Sequence, residues 1–530
     1  MAFFVVGGVL ALGGSGFVWL RSRRTSSRGA AMAAGSVPLC VYVALALSLV
    51  LAATKTSDGQ DNWDTARLVP SVALVKGQQV YSTRTAGSVQ STMYPPAWVI
   101  SYLPVVAADA PAGVLRIGMF LTLLFSFAPV VLLFRNGSPD WNLTVLGSTS
   151  FLFLSTAFES LSYSLFRPHA DAPSLGYAML ACVLALRPGP PTMRRFAGIA
   201  LLAWLSILSK QVMVVLLVAL PLWVFLVHGR RRGAHLVAWL IVTGLGLILL
   251  SVPIFGAQGV LFNTLVIPGR TPWEYGQYPR PLAVALVSAE LLVHCLPLVI
   301  LLTIGAFVHA SSGRSVSRPG LRSFLAMNAW TLPALVAVVS VPVSIMGRVK
   351  VGGLVNTFSP TTYFLLAAGI LALIGTTRPS SEDNDVRELH YRLKLLALCA
   401  LLLAIGGAAR MPLLAASFPL EQHRSQQAYD FLKREDARVF FPMHPLAHLL
   451  ADGSMFHFAG ALYDREELAR LPLPRGQRER HFPAHPSSVC WERGEEWVRT
   501  RYFTEYTRRI EGHTLKPPWE CYARGPGPTD

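Results

Sequence analysis

The chain has 530 residues, of which 52% are apolar and only 14% charged, and its mean hydropathy is +0.45. Apolar runs repeatedly reach the roughly 17 to 25 residues that a spanning helix needs, which excludes a soluble globular protein and indicates a polytopic membrane protein. The net charge of +17 lies in the membrane part, because residues 411–530 hold 16 basic and 16 acidic side chains. Lipid headgroups and topology explain this charge, and no basic helix or aromatic platform indicates a nucleic-acid partner.

Eleven apolar runs predict membrane spans near 36–54, 114–134, 142–160, 170–186, 196–209, 211–228, 235–254, 284–309, 323–343, 357–376 and 394–410. An earlier run, 2–20, is either a first span or a leader-like segment. It has no basic region before its apolar stretch, which disfavours a secretory signal. The sequence therefore predicts a bundle of about 11–12 transmembrane helices over residues 36–410, preceded by an apolar segment and a basic cytoplasmic loop over residues 1–35.

Arginines mark alternate loops between these runs and so predict the orientation of the chain. Because short cytoplasmic loops retain positive charge, the six Arg-rich loops are assigned to the inside. The first long loop, 55–113, and the tail, 411–530, are then extracytoplasmic. The tail reads as a small mixed α/β domain, and its Cys490 and Cys521 either pair in an oxidising compartment or remain thiols.

The first outer loop carries two aspartates three residues apart, Asp61 and Asp64. On a helical turn both would point the same way, ahead of a helix-like run from Ala66 that stops at Gly77. A partly screened carboxylate beside the bilayer suits general-base chemistry. The structural alternative is that Asp61 caps that helix, that Asp64 interacts with its positive end, and that neither does chemistry.

Aromatic residues follow in the same loop. Tyr81 and the run Tyr94-Pro95-Pro96-Ala97-Trp98 combine rigid turns with amphipathic rings. They either bind substrate or belong to the interfacial aromatic belt.

Three ionisable residues introduce the span near 170. Arg167 lies four residues before Asp171, a spacing that suits an ion pair on one helix, and His169 lies between them. Ionisable groups at this depth indicate either a functional site or a pair that fixes helix packing.

Two cationic motifs lie at the same predicted face of the membrane. Lys210, in Ser209-Lys210-Gln211, separates two short apolar runs, and Arg348 and Lys350 precede Gly352-Gly353. Lysine at an interface often merely snorkels to water. A compact ammonium also suits a lipid phosphate, to which glycine amides can approach closely. Two cationic sites on one face favour a lipid-linked phosphate.

The order of these motifs resembles the GT-C superfamily of membrane glycosyltransferases, the group of protein O-mannosyltransferases and aminoarabinose transferases. The first-loop acid is followed by Lys76-Gly77-Gln78, Tyr81 and Tyr94-Pro95-Pro96. Ser209-Lys210-Gln211 is similar to the "TKQ" signature, and Arg167-Pro-His-Ala-Asp171 resembles "RPD" with two extra residues. The segment from Val351 to Asn356 is similar to a late Gly-Gly-Asn element. The resemblance covers roughly residues 36–410.

The resemblance implies an inverting glycosyltransferase with a polyprenyl-phosphate sugar as donor and an extracytoplasmic hydroxyl of a glycan, lipid or protein as acceptor. Asp64 matches the position of the family's catalytic acid better than Asp61 does. The implied substrate-binding residues are Tyr81, Tyr94, Arg167, His169, Asp171, Lys210, Gln211, Arg348 and Lys350. No cofactor is implied beyond the lipid-linked sugar, and a divalent metal is possible but not required. The resemblance implies the cytoplasmic membrane of a bacterium as the location. A transporter or flippase of lipid-linked sugars and a non-catalytic scaffold are the alternatives.

Overall fold

The computed structural model describes residues 56–57, 62–138, 141–274, 276–311, 320–374, 418–419, 423–434, 438–474, 476–484, 486–510, 515 and 519–525. The predicted spans at 36–54 and 394–410, the segment 2–20 and the candidate base Asp61 lie outside these residues. The protein is predominantly helical, as predicted.

The described residues from 62 to 374 form helices α1–α16, which begin and end as follows: α1 Asn62–Ala66, α2 Val69–Val75, α3 Ala97–Ser101, α4 Pro111–Gly137, α5 Trp141–Ala157, α6 Glu159–Phe166, α7 Asp171–Ala185, α8 Met193–Ser209, α9 Leu216–His228, α10 Arg230–Phe255, α11 Ala257–Leu261, α12 Ile267–Arg270, α13 Arg280–Ser311, α14 Leu321–Met327, α15 Thr331–Arg348 and α16 Ser359–Ile374. Short 3₁₀ turns, Gln211–Val215 and Val355–Phe358, lead into α9 and α16.

Six helical segments in the described part of the chain are long and apolar enough to cross a membrane. They are Pro111–Gly137, Gln211–His228, Arg230–Phe255, Arg280–Phe307, Thr331–Arg348 and Val355–Ile374. The last is almost wholly buried, whereas α10 exposes a row of large apolar side chains. In a multi-pass protein, a central helix packs only against protein while a peripheral one contacts lipid. The chain is therefore a multi-pass membrane protein.

The first outer loop differs from the sequence expectation in one detail. The predicted run from Ala66 to Gly77 is broken into α1 and α2. Pro70 causes the break, because its ring would collide with the carbonyl of Ala66 in one continuous helix. The run ends as predicted at Gly77, whose positive φ of 70° suits glycine.

The span predicted at 323–343 begins later than expected. A turn at Asn328 separates the short α14 from α15, and the Thr331 hydroxyl donates to the Asn328 carbonyl at 2.6 Å. Pro333 then lies in the first turn of α15, where the missing amide proton costs nothing.

The C-terminal domain, residues 418–525, is a small mixed α/β unit as predicted. Its helices are α17 Arg424–Arg434, α18 Pro445–Ala451, α19 Ala459–Tyr463, α20 Gln477–Arg480 and α21 Glu496–Tyr502. Strands β3 Val439–Phe440, β4 Ser488–Glu492, β5 Arg508–Arg509 and β6 Trp519–Ala523 form a sheet in the order β3-β4-β6-β5. β3 pairs with β4 in parallel, and the other pairs are antiparallel.

A disulfide joins Cys490 on β4 to Cys521 on β6, which resolves the alternative left open by the sequence. The two residues are direct cross-strand partners.

The C-terminal domain packs on the first outer loop. Strand β1, Thr56–Ser57, pairs with β2, Phe418–Pro419. Farther along, the Thr65 hydroxyl lies 2.7 Å from that of Ser425. Apolar side chains of the domain also share hydrophobic clusters with the loop. The C-terminal domain is therefore attached to the loop that carries Asp64 and Tyr94.

Candidate active site

Three of the sequence motifs meet at the carboxylate of Asp171, the first residue of α7. Its Oδ1 is ion-paired with the Lys210 ammonium. Its Oδ2 lies 2.7 Å from His169 Nδ1 and accepts hydrogen bonds from Ser164 Oγ at 3.0 Å and Asn356 Nδ2 at 3.2 Å. These five residues, here the Asp171 cluster, are buried. The predicted "RPD"-like, "TKQ"-like and Gly-Gly-Asn elements therefore contact one another.

Backbone breaks position both charged groups of this cluster. Lys210 has extended backbone between the end of α8 and the 3₁₀ turn before α9, as its position between two short runs predicted. The break turns its side chain toward α7, whose first residue is Asp171. A buried charge needs a partner, and this pair supplies one for each residue.

Tyr94, from the Tyr-Pro-Pro element, adds the fourth motif. Its hydroxyl lies 3.2 Å from His169 Nε2, and its ring lies 5.6 Å from the Lys210 ammonium. His169 Nδ1 also accepts from the backbone N–H of Asp171 at 3.2 Å, and the tautomer of the ring sets whether Nε2 or the Tyr94 hydroxyl donates. Tyr81 holds the backbone of Tyr94 in place, because its buried hydroxyl donates to the Tyr94 carbonyl at 2.7 Å.

Gln211 fixes the loop that carries Tyr94. Its Nε2 donates to the carbonyls of Met93 at 3.2 Å and Thr264 at 3.4 Å. The residue after Lys210 thus ties the first outer loop to the chain that follows α10.

Arg167 and Asp171 do not share a helix, contrary to the i,i+4 spacing that suggested an ion pair. Arg167 has extended backbone after α6, and α7 begins only at Asp171. The Arg167 guanidinium lies over the Tyr163 ring at 5.6 Å. The two extra residues of the "RPD"-like motif form this turn, and they bring His169 to the carboxylate.

Asp64 lies on α1, beside the Asp171 cluster. It is buried and ion-paired with Arg67 at 3.3 Å. Arg67 also donates to the Tyr163 hydroxyl, and the Tyr163 ring lies 5.7 Å from that of His169. A continuous chain of contacts therefore links Asp64 to Asp171.

Arg348 and Lys350 form a separate cationic group with the segment after α12. Arg348 pairs with Glu274 at 3.1 Å and Glu290 at 3.2 Å. Lys350 donates to the Thr271 carbonyl at 3.0 Å and forms an isolated β-bridge with Trp273. Neither residue contacts Asp171, but Asn356 lies only six residues beyond Lys350 and does.

Sequence reasoning missed Arg67, Tyr163 and Ser164 and did not single out Asn356 as a site residue. Two signals were present. Arg67 is three residues after Asp64, a spacing typical of a helical ion pair. Tyr163 and Ser164 are polar residues just before Arg167, in the short stretch between two predicted spans. Within the described ranges, no group of three or more His, Cys, Asp or Glu side chains is arranged to hold a metal ion.

Comparison with known proteins identifies the fold. No protein-family model matches the sequence, and no curated protein is detectably similar to it. The crystal structure of ArnT from Cupriavidus metallidurans bound to undecaprenyl phosphate matches with a TM-score of 0.53 at 12% identity, over 92% of this chain and 99% of that one. Its apo form matches with a TM-score of 0.49 at 12% identity, over 92% and 98%. The chain therefore shares the fold of ArnT, and the predicted polytopic helical fold is confirmed.

Proposed function

We propose that this protein is a membrane glycosyltransferase that moves a sugar from a polyprenyl phosphate to an acceptor hydroxyl, with inversion at the anomeric carbon. The meeting of Tyr94, Lys210, Asp171 and Asn356 at one buried cluster carries the proposal. That cluster lies in a chain with the fold of ArnT, and the comparison structure of ArnT holds undecaprenyl phosphate.

Asp64 acts as the general base in this proposal. The acceptor hydroxyl loses its proton to the Asp64 carboxylate as its oxygen bonds to the anomeric carbon. The bond from that carbon to the phosphate oxygen breaks, and polyprenyl phosphate leaves. Arg67, at 3.3 Å, orients the carboxylate. Asp61 is the alternative base on sequence grounds and lies outside the described residues.

Lys210 neutralises charge on the leaving phosphate. An ammonium has three donors, and Asp171 occupies one of them. Asp171 and the Tyr94 ring therefore hold a charged donor in place before the phosphate arrives, which is the preorganisation that electrostatic catalysis requires. Arg348 or Lys350 supplies further positive charge. Tyr81, His169 and Gln211 hold Tyr94 and its loop in position, and Arg167 packs on Tyr163.

The first test is sugar transfer by purified protein with a panel of radiolabelled undecaprenyl-phosphate sugars and candidate acceptors. Asp64→Asn should reduce the initial transfer rate about 100- to 10,000-fold, because an amide keeps the shape of the carboxylate but accepts no proton. Asp61→Asn should impair transfer less. Asp109→Asn is the matched control, since Asp109 is an exposed aspartate of the same loop.

Several outcomes would contradict the proposal or part of it. An Asp64→Asn protein within a few-fold of the wild-type rate would exclude Asp64 as base and favour a helix-capping role. A dead Asp61→Asn variant would move the base three residues upstream. Movement of labelled donor across vesicles without any transfer would favour the transporter or flippase instead.

We further propose that the site faces outward from the cytoplasmic membrane of a bacterium and requires no cofactor beyond the lipid-linked sugar. The arginine bias of alternate loops supports the orientation. Cysteines introduced at the exposed Thr85 and at the half-buried Ser454 should be labelled from outside intact cells, and one at the exposed Ala234 should not. Labelling at Ala234 alone would reverse the topology.

A further inference from the structure

A helix of only five residues carries the proposed base. Asp64 lies in α1, Asn62–Ala66, and isolated helices shorter than about 12 residues are marginal in water. Contacts with the rest of the protein must therefore fix the direction in which the Asp64 carboxylate points. Two other residues of α1, Asn62 and Thr65, provide such contacts, and both reach the C-terminal domain.

Asn62 is bound to Glu495, the residue before α21. The side-chain amide of Asn62 donates to Glu495 Oε1, and Glu495 Oε2 accepts from the backbone N–H of Glu492 at 3.4 Å. Asn62 is buried and Glu495 is half-buried. Burial, reinforced by the charge of Glu492, raises the pKa of Glu495 to about 8, so its carboxyl is mostly neutral at pH 7. A neutral carboxyl keeps an acceptor oxygen for the Asn62 amide, as a glutamine side chain does.

Thr65 is bound to Ser425, near the start of α17. The two hydroxyl oxygens lie 2.7 Å apart, and the Ser425 hydroxyl lies 3.0 Å from His444 Nδ1. His444 Nε2 in turn lies 3.3 Å from the carboxylate of Glu492, the last residue of β4. Thr65, Ser425 and His444 are fully buried, so water does not compete for these contacts. The Ser425 hydroxyl is therefore held between α1 and the end of β4.

Both contacts hold the same face of α1. Successive residues are about 100° apart around a helix, which places Asn62 and Thr65 roughly 60° from each other. Asp64 then lies roughly 100° from Thr65 and roughly 160° from Asn62. On that other side of the helix, Asp64 pairs with Arg67 at 3.3 Å. The C-terminal domain therefore grips the face of α1 that is turned away from the Asp64 carboxylate.

We propose that Ser425 and Glu495 are positioning residues for sugar transfer: they fix the rotation of α1 so that the Asp64 carboxylate meets the acceptor hydroxyl. This inference rests on the proposed transferase function and adds two residues of the C-terminal domain to it. Ser425 acts through Thr65, and Glu495 acts through Asn62. A shift of about 1 Å in a reacting group can cost about 100-fold in rate, so loss of either contact slows the chemical step.

The first test measures kcat and donor binding in Ser425→Ala, Glu495→Ala and Glu495→Gln. Either alanine variant should lower kcat about 10-fold per folded protein. The Kd of bare undecaprenyl phosphate should be unchanged, because the phosphate binds at Lys210 and not at α1. Glu495→Gln should keep a kcat near that of the wild type, since its side-chain carbonyl accepts from the Asn62 amide.

Gln426→Ala is the matched control. Gln426 follows Ser425 on α17, and its side-chain carbonyl accepts from the backbone N–H of Ala112 on α4 at 2.9 Å. The variant therefore loses a hydrogen bond of the C-terminal domain to α4 rather than to α1. It should turn over like the wild type.

A double variant separates positioning from a purely structural role. In Asp64→Asn, the group that Ser425 positions has lost its function, so adding Ser425→Ala should leave the residual rate unchanged. A residue that only supports folding would lower the rate by the same factor in both backgrounds. Equal factors, or a wild-type kcat in the folded alanine variants, would overturn the proposal. Glu495 is half-buried, so Glu495→Ala carries this test if Ser425→Ala does not fold.

Hydrogen exchange gives a readout that does not depend on activity. The backbone N–H of Arg67 donates to the Trp63 carbonyl at 2.9 Å and so reports on α1. Its exchange should be faster in Ser425→Ala and in Glu495→Ala, but not in Gln426→Ala, because a helix that loses its contacts opens locally more often. Unchanged exchange in the first two variants would show that the domain does not hold α1, and would overturn the proposal.

The two proposals fail in different ways. If Asp64→Asn is inactive but Ser425→Ala and Glu495→Ala keep the wild-type kcat and exchange rate, only the positioning role is wrong. If Asp64→Asn transfers sugar at the wild-type rate, or the wild type transfers none, the proposed function is wrong. The positioning role then falls with it, even where exchange shows that Ser425 and Glu495 hold α1.

Discussion

The buried pair of Lys210 and Asp171 offers the sharpest test of the site. Lys210→Met leaves the Asp171 carboxylate buried without its cation, with only the neutral donors His169, Ser164 and Asn356. Asp171→Asn leaves the ammonium without its anion. Removing one member of a buried pair typically costs about 3 to 5 kcal/mol. We expect Lys210→Met near the lower value, because three hydrogen bonds to Asp171 survive.

The double variant Lys210→Met/Asp171→Asn removes both charges together. It should be less destabilised than the sum of the single variants, with a coupling of about 1 to 3 kcal/mol. Transfer activity should be lost in all three proteins, because none retains the ammonium in place. Lys210→Arg should recover only part of the activity, since a planar guanidinium differs in shape from an ammonium.

The measurements are the free energy of unfolding in mixed micelles and the initial transfer rate of each variant. Additive destabilisation would show that the two side chains do not interact energetically. Normal transfer by Lys210→Met, with normal donor saturation, would reduce Lys210 to an interfacial anchor. Either result would refute the reasoning from the Asp171 cluster.

Three further predictions concern other parts of the chain. Replacing Cys490 and Cys521 by serine should lower the stability of the C-terminal domain by roughly 3 to 4 kcal/mol, the value for a loop of 31 residues, as thermal melts with and without reductant can check. Burial, reinforced by a neighbouring carboxylate, raises the pKa of Glu495 from 4.5 to about 8, so its stabilising contribution is complete below pH 4.5 and lost as pH rises to 8. Melting temperature should therefore fall less between pH 6 and 9 in Glu495→Gln; an equal fall would contradict this assignment. Lys350→Met should raise the KM for the lipid-linked donor about 10-fold or more, and Arg348→Met should raise it less, because Arg348 is already paired with two carboxylates. Titration of the donor measures both, and the reverse order would contradict the assignment of this charge to Lys350.

The polar positions of the site could be predicted from the sequence, but their pairing could not. Lys210 and Asp171 stand out because charges are rare in apolar runs. Their contact depends on how α7 packs against α8, across 39 residues of sequence. Spacing instead favoured Arg167, since a local pattern shows only neighbours on one helix. The multi-pass helical class and the approximate helix bounds followed from composition and from the lengths of the apolar runs, which are local properties.

The contribution of the C-terminal domain was beyond prediction for the same reason. Phe458 contacts Trp63 only because the domain packs against the first outer loop, and the two residues are almost 400 positions apart in the sequence. No periodic or motif signal connects such distant positions. The pairing of Cys490 and Cys521 was likewise left open, because their spacing does not show that β4 and β6 are neighbours.

Charge balance also separates the roles of Arg348 and Lys350. Lys210 and Asp171 are neutral as a pair, and so are Arg67 and Asp64. A polyprenyl-phosphate sugar brings one negative charge. The phosphate that leaves carries about 1.5 to 2 negative charges at pH 7, because its second pKa is usually about 6. A further cation must therefore oppose the charge that develops. Arg348 already pairs with Glu274 and Glu290, whereas Lys350 donates to the uncharged carbonyl of Thr271. We therefore expect Lys350, which precedes the glycines and Asn356, to provide this charge.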